Sequence, residues 1–186
     1  MANGEMRFML QVANSSFSTV LLSDVTVRYW FSADSNPLST ITAVSDFSQN
    51  GNNQNFTKLS VVAAPAANVG PTSDTYVEFS FATTAGPLAA LGAAATIQVR
   101  VDGRATSGMQ EIFNETNDWS FLATAKCGNS TAMFTSDPNI TAYVKGMLVF
   151  GCEPSGGGAV SSSGGAPQAG PGGPPDATAS DARSGG

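Results

Sequence analysis

The stretch "FNETNDWSF", residues 113–121, sets two asparagines, a glutamate and an aspartate against aromatic residues. A core strand has no use for so many oxygen acceptors in a row, so they hold a turn, a glycan, an ion or a substrate. Carboxylate, amide and carbonyl oxygens are the donor set of a hard cation such as calcium, which needs no nitrogen or sulfur. The competing role for Asn117 and Asp118 is an Asx turn closed by their own side chains.

Other chemistries are limited by what the chain lacks. It has no histidine, which excludes a Ser-His-Asp triad, a Cys-His pair and a His-ligated zinc site. Catalysis would have to run on carboxylates, and Asp34, Glu78, Glu115 and Asp118 are the candidates. A glycosidase pair needs two of them across a cleft, one with a raised pKa. Glu78 instead projects from a strand beside Arg28, which reads as an ion pair, so the chain is expected not to be an enzyme. Eight Lys plus Arg against fourteen Asp plus Glu, a net charge of −6, leave no basic stripe for nucleic acid or an anionic membrane. No apolar run approaches the roughly 18 residues of a membrane span, and "MANGEMRFML" is too short and polar for a signal peptide. An export signal, if there is one, lies outside this sequence.

Cys127 and Cys152 are too few for a zinc site and too far apart for a CxxC motif, which leaves a single disulfide or two free thiols. A bridge would close a loop worth roughly 3 kcal/mol in the chain-entropy model. Asn-x-Ser/Thr tripeptides occur at Asn14, Asn55, Asn114, Asn129 and Asn139, some of them by chance in a chain rich in Ser, Thr and Asn. A glycan on Asn114 would crowd the candidate ion site, so Asn114 is expected unmodified.

The elements that must position these residues are strands. "VTVRYWF" places Val25, Val27, Tyr29 and Phe31 on one face and Thr26, Arg28 and Trp30 on the other; "TYVEFSF" and "TIQVRV" repeat the alternation. Further strands are expected at "MLQVAN", "LSVVAA", "DWSFLA", "ITAYV" and "GMLVFG". "PLAALGAAA" has helical propensity, but Gly86-Pro87 and Gly92 cut it into pieces too short to be stable, so it reads as a connection. Short strands without an amphipathic helix argue for an all-β, antiparallel jelly-roll sandwich over residues 1–154. Residues 155–186 are Gly, Pro, Ser and Ala with almost nothing to bury, a linker or tail spanning roughly 30 Å as flexible coil.

Taken in order, "LLSDVTVRYWFSAD", "SDTYVEFSF", "ATIQVRV", "FNETNDWSF" and "NITAYVKGMLVFGCEP" resemble the family 3 carbohydrate-binding modules, the cellulose-binding domains of bacterial scaffoldins and cellulases. The resemblance runs from about Met6 to Pro154. It implies a nine-stranded jelly roll whose first strand is missing here, leaving an unpaired sheet edge near "MRFMLQV". It also implies a structural calcium held by the Asp34 carboxylate, the Asn117 and Asp118 side chains, and the carbonyls of Ser32 and Asn114.

For function, the resemblance implies a secreted, non-catalytic module that binds cellulose or a related polysaccharide and targets a linked glycoside hydrolase or scaffold to it. Family members use a flat strip of aromatic and polar side chains; its matches here are Asp46, Phe47, Phe56 and Arg100, with Met109 in the loop where the family carries a Trp. Phe47 and Phe56 could equally belong to the core. The opposite sheet carries a shallow groove in the family, matched by Arg28, Glu78 and Tyr143. The alternative function is an extracellular interaction or structural module that packs on a partner domain through that groove.

Overall fold

The computed structural model describes residues 5–103, 113–121, 134 and 136–155. Eleven strands are found among them: β1 (Glu5–Ala13), β2 (Val20–Leu21), β3 (Val25–Phe31), β4 (Ile41–Asn50), β5 (Asn53–Gln54), β6 (Thr57–Ala63), β7 (Thr75–Phe81), β8 (Pro87–Leu88), β9 (Ala94–Gly103), β10 (Thr141–Val144) and β11 (Met147–Phe150). They form an antiparallel four-stranded sheet ordered β1-β9-β4-β5 and a five-stranded sheet ordered β11-β10-β3-β7-β6, with β2 and β8 as a small separate pair. Sheet-on-sheet packing of this kind is the sandwich that the alternation predicts. Among the described residues, no helix is long and apolar enough to cross a membrane.

Period-two alternation fills the space between the layers. Val25, Val27, Tyr29 and Phe31 from β3 and Val77, Phe79 and Phe81 from β7 meet Met6 and Leu10 from β1 and Ala95, Ile97, Val99 and Val101 from β9. Phe8 of β1 stacks on Tyr29 of β3 with ring centroids 4.3 Å apart, so β1 lies across β3. Large apolar side chains removed from water in this way supply most of the folding free energy, about 1.5–3 kcal/mol each.

Two expectations change. Trp30 belongs to the outer face by alternation, yet it is fully buried, tilted against Tyr76 and donating its Nε1–H to the Thr141 hydroxyl at 2.9 Å. "DWSFLA" does not begin as a strand: Trp119 and Ser120 form a turn, and the residues from 122 lie outside the described set. β4, a segment for which the sequence sets no expectation, is a ten-residue strand with no clean alternation. Its pairing with β9 jumps from Ser45↔Val99 to Phe47↔Gln98, a bulge at Asp46 that shifts the inward set from Ile41, Ala43 and Ser45 to Ser48. "PLAALGAAA" forms no helix and contributes β8 and a turn.

Candidate functional site

Three surfaces collect the residues singled out in the sequence. The first is the turn after Phe113. Asn117 N–H donates to the Asn114 carbonyl at 3.1 Å and Asp118 N–H to the Glu115 carbonyl at 3.2 Å, closing a single 3-10 turn. Ser120 ties this turn to the end of β3: its hydroxyl accepts from Trp30 N–H at 2.9 Å and donates to the Asn139 carbonyl at 2.7 Å. Asp118 Oδ1 accepts from Ser32 N–H at 2.9 Å. Across the gap, Asp34 sits in the left-handed region with φ 50°, a conformation costly for a non-glycine residue. Its carboxylate accepts from Asn114 N–H at 2.6 Å and Asn117 Nδ2–H at 2.9 Å.

Ser32, Asp34, Asn114, Asn117 and Asp118 are therefore adjacent, drawn from segments about 80 residues apart. Two oxygens remain orphaned there: Asn117 Oδ1 and Asp118 Oδ2 are buried with no hydrogen-bond donor. Burial raises the Asp118 carboxyl to about 8, with Asp34, Glu115 and Asp74 adding repulsion and the Ser32 amide opposing it. A buried anion without a counter-charge is costly, and the donor chemistry suits a hard cation. Among the described residues no three His, Cys, Asp or Glu side chains converge, so such an ion would rest on two carboxylates, an amide oxygen and backbone carbonyls.

The second surface is the outer face of the four-stranded sheet. Registers place Met9, Gln98 and Phe47 side by side in one row, Arg7, Arg100 and Val44 in the next, and Gln11, Thr96 and Gln49 in a third. Arg100 Nη2 bonds Asp46 Oδ1 at 3.0 Å and its Nη1 lies 3.7 Å from Asp102 Oδ2. The bulge at Asp46 is what lets its carboxylate reach Arg100 while Phe47 keeps to the outer face. Phe56 is not on this surface. It is 2% exposed, packed against Phe81 at 6.1 Å, because its backbone bridges the layers: its N–H donates to the Ser48 hydroxyl at 3.0 Å and its carbonyl accepts from Ala82 N–H at 2.9 Å. Met109 lies outside the described residues. Met9 and Val44, both exposed on this face, escaped the sequence reading; recognising β4 as a strand would have revealed them.

The third surface is the outer face of the five-stranded sheet. Arg28 lies over the rings of Tyr76 and Tyr143, 4.6 and 4.7 Å from their centroids. It bonds Glu78 at 3.1 Å and approaches Glu153 at 3.8 Å. The Tyr143 hydroxyl donates to Glu153, and burial together with that carboxylate raises its pKa. The segment after β11 thus lies against this face, held also by Asn68 Nδ2–H to the Pro154 carbonyl at 2.8 Å and Trp119 Nε1–H to the Cys152 carbonyl at 3.3 Å. It enters through Gly151, at φ 82°, where any Cβ would collide with the Ile140 carbonyl. Cys152 is exposed; its candidate partner Cys127 lies outside the described residues. Of the glycosylation tripeptides, Asn14 is a structural residue: its buried amide donates to the carbonyls of Ser18, Leu88 and Ala89, leaving no hydrogen for a glycan bond.

The antiparallel sandwich that carries these surfaces has counterparts among known proteins. A cellulose binding domain model, that of carbohydrate-binding module family 3, matches residues 2–151; the chain belongs to this family. It is 34% identical over 150 residues to a β-mannanase/endoglucanase A of Caldicellulosiruptor saccharolyticus, covering 79% of this chain and 10% of that protein. It is 32% identical over 152 residues to cellulosomal-scaffolding protein A of Acetivibrio thermocellus, covering 78% and 7%. The chain therefore spans a tenth or less of these relatives. A family IIIA cellulose-binding domain from Clostridium cellulolyticum superimposes with a TM-score of 0.64 at 26% identity, covering 82% of this chain and 89% of that one.

Proposed function

We propose that this chain is a non-catalytic module that binds cellulose or a related polysaccharide through the outer face of its four-stranded sheet. By doing so it holds a linked glycoside hydrolase or scaffold against that surface outside the cell. Raising the local concentration of a tethered domain needs no chemistry from the module itself. The carrying observation is the Arg100–Asp46 pair set beside Phe47 and Met9 on a sheet face where Met9 and Val44 are exposed. Rings and methylenes lie against pyranose faces, and the charged pair hydrogen-bonds hydroxyls. The carboxylates are engaged elsewhere: Asp34 and Asp118 in the turn, Glu78 with Arg28.

With Phe56 in the core and, among the described residues of this face, no rigid aromatic plane besides Phe47, retention should be weaker than for a module with a full aromatic strip. Incubation with microcrystalline cellulose, xylan and chitin tests the reading. Retention on cellulose, reduced severalfold by Arg100→Ala at unchanged Tm, supports it; wild-type protein left wholly in the supernatant with cellulose overturns it. In that event the module would serve as an interaction domain acting through its Arg28 groove.

A structural calcium belongs to the same proposal. Asp34, Asn117 and Asp118 would hold it by their side-chain oxygens, with Ser32 and Asn114 contributing carbonyls, and the support is the pair of orphaned oxygens. Bound there, the ion would supply positive charge that ties the end of β3 to the 114–120 turn. These residues meanwhile position Ser120 against Trp30, which keeps β3 in register with the segment before β10.

A further inference from the structure

The end of the sandwich where β1 and β7 finish and β3 and β9 begin is made from segments without charge: residues 8–23, 47–57 and 79–99 hold no Asp, Glu, Lys or Arg. The fold brings them together there. β2 pairs β8, and Asn50 and Asn53 of the β4–β5 turn donate their amides to the Ala85 carbonyl at 2.7 and 3.1 Å. The ladder between β1 and β9 runs on into this end past Ala13: Asn14 N–H bonds the Ala93 carbonyl at 3.0 Å, Gly92 N–H the Asn14 carbonyl at 2.8 Å and Leu91 N–H the Ser16 carbonyl at 3.0 Å. The row of Gln11, Thr96 and Gln49 on the outer sheet face therefore borders it.

Phe17 stands at this end, and among the described residues no large apolar side chain is more exposed, at 88%. Leu91, bonded through its backbone to the residue before Phe17, is 66% exposed and sits at φ 59°, a costly conformation for a leucine. Neither side chain serves the core, yet the loop that presents them is fixed. The buried Asn14 amide donates to the carbonyls of Ser18, Leu88 and Ala89, and its oxygen accepts from the Ser16 N–H and hydroxyl at 3.0 and 2.7 Å. A ring held in this way loses little freedom when something settles on it. Its neighbours in the chain, Ser15, Ser16, Ser18 and Thr19, are hydroxyl residues.

We propose that Phe17, with Leu91 beside it, is a second polysaccharide contact that continues the sheet-face strip at the end of the domain. This rests on the polysaccharide reading above and narrows it: the ligand is an uncharged glycan extended enough to reach both places. The ring takes the apolar face of a pyranose, while the hydroxyls and amides around it suit sugar hydroxyls. A protein partner anchored on two apolar side chains would need an apolar surround to exclude water, and the chain offers Ser, Thr and Asn there. With the Phe56 ring in the core, Phe17 supplies an aromatic plane from a different loop.

Depletion isotherms of the full chain on microcrystalline cellulose test the assignment. Phe17→Ser should weaken retention about three- to tenfold, the scale of one aromatic contact, at unchanged Tm, whereas Phe17→Tyr, which keeps the ring, should stay near the wild type. Val69→Ser, at an exposed apolar position (43%) before β7 begins, at the other end of the sandwich, should change nothing. Phe17→Trp gives a second readout: its emission should move to the blue on adding soluble hydroxyethylcellulose, by more than that of the wild type, whose own indoles are Trp30 and Trp119. Retention indifferent to Phe17→Ser, Phe17→Tyr falling as far as Phe17→Ser, or an unmoved Phe17→Trp emission overturns the inference. Loss in Arg100→Ala alone removes this contact and leaves the sheet-face strip; loss in Phe17→Ser alone does the reverse. A wild type wholly in the supernatant overturns both.

Discussion

Replacing Asp118 by Asn should change sign with calcium. The carboxyl is 7% exposed, and burial lifts it to about 8 from an ordinary 3.8. Without a cation the folded carboxyl is mostly protonated at pH 7, and taking up a proton that the unfolded chain has released costs on the order of 4 kcal/mol, at about 1.4 kcal/mol per tenfold in proton affinity. Water entry and side-chain relaxation bring this to roughly 2 kcal/mol, on the scale of measured buried-charge effects. Asn keeps an oxygen for the Ser32 amide, now 2.9 Å from Asp118 Oδ1, and removes the charge. In excess chelator, Asp118→Asn should thus raise the Tm by about 4–8 °C, taking 2–4 °C per kcal/mol for a domain of this size. In calcium at about a thousand times its Kd, the wild type gains about 4 kcal/mol from the bound ion. The variant forfeits most of that and should melt below the wild type. Differential scanning calorimetry in the two media provides the assay. A variant destabilised equally in both would refute the cation reading and leave Asp118 as a turn residue; a wild type whose Tm ignores calcium would do the same.

Phe56→Ala should cost about 3–5 kcal/mol of stability, as for a fully buried aromatic, while cellulose retention per folded molecule stays unchanged; a stable variant that loses retention would return Phe56 to the binding face. Asp137 gives a pH test away from the ion site. Burial holds its carboxyl above the ordinary range against the pull of the Asn139 amide at 2.9 Å. The folded protein thus binds this proton more tightly than the unfolded chain, and the associated stability is complete below about pH 3.9 and lost as pH rises through the folded value. Asp137→Asn, which keeps the acceptor, should melt above the wild type at pH 7 and level with it near pH 3.5; a lower Tm at pH 7 contradicts this.

Much of the architecture is local and therefore legible from residue order. Strict alternation in β3, β7 and β9 is enough to assign an inner face, since successive side chains in a strand point oppositely, and the core uses those residues. The acceptor-rich run 113–121 announces a turn with oxygens to spare, whereas its pairing with Asp34, some 80 residues away, follows from the family resemblance and not from the run itself. What the sequence could not decide depends on contacts between distant segments. Alternation alone sends Trp30 to solvent; Tyr76 and the Thr141 hydroxyl, 46 and 111 residues away, bury it. The bulge at Asp46 destroys the period that would reveal β4, and only pairing with β9 shows where the extra residue falls. Phe56 follows no strand pattern, and the bonds from its backbone to Ser48 and Ala82 turn its ring inward.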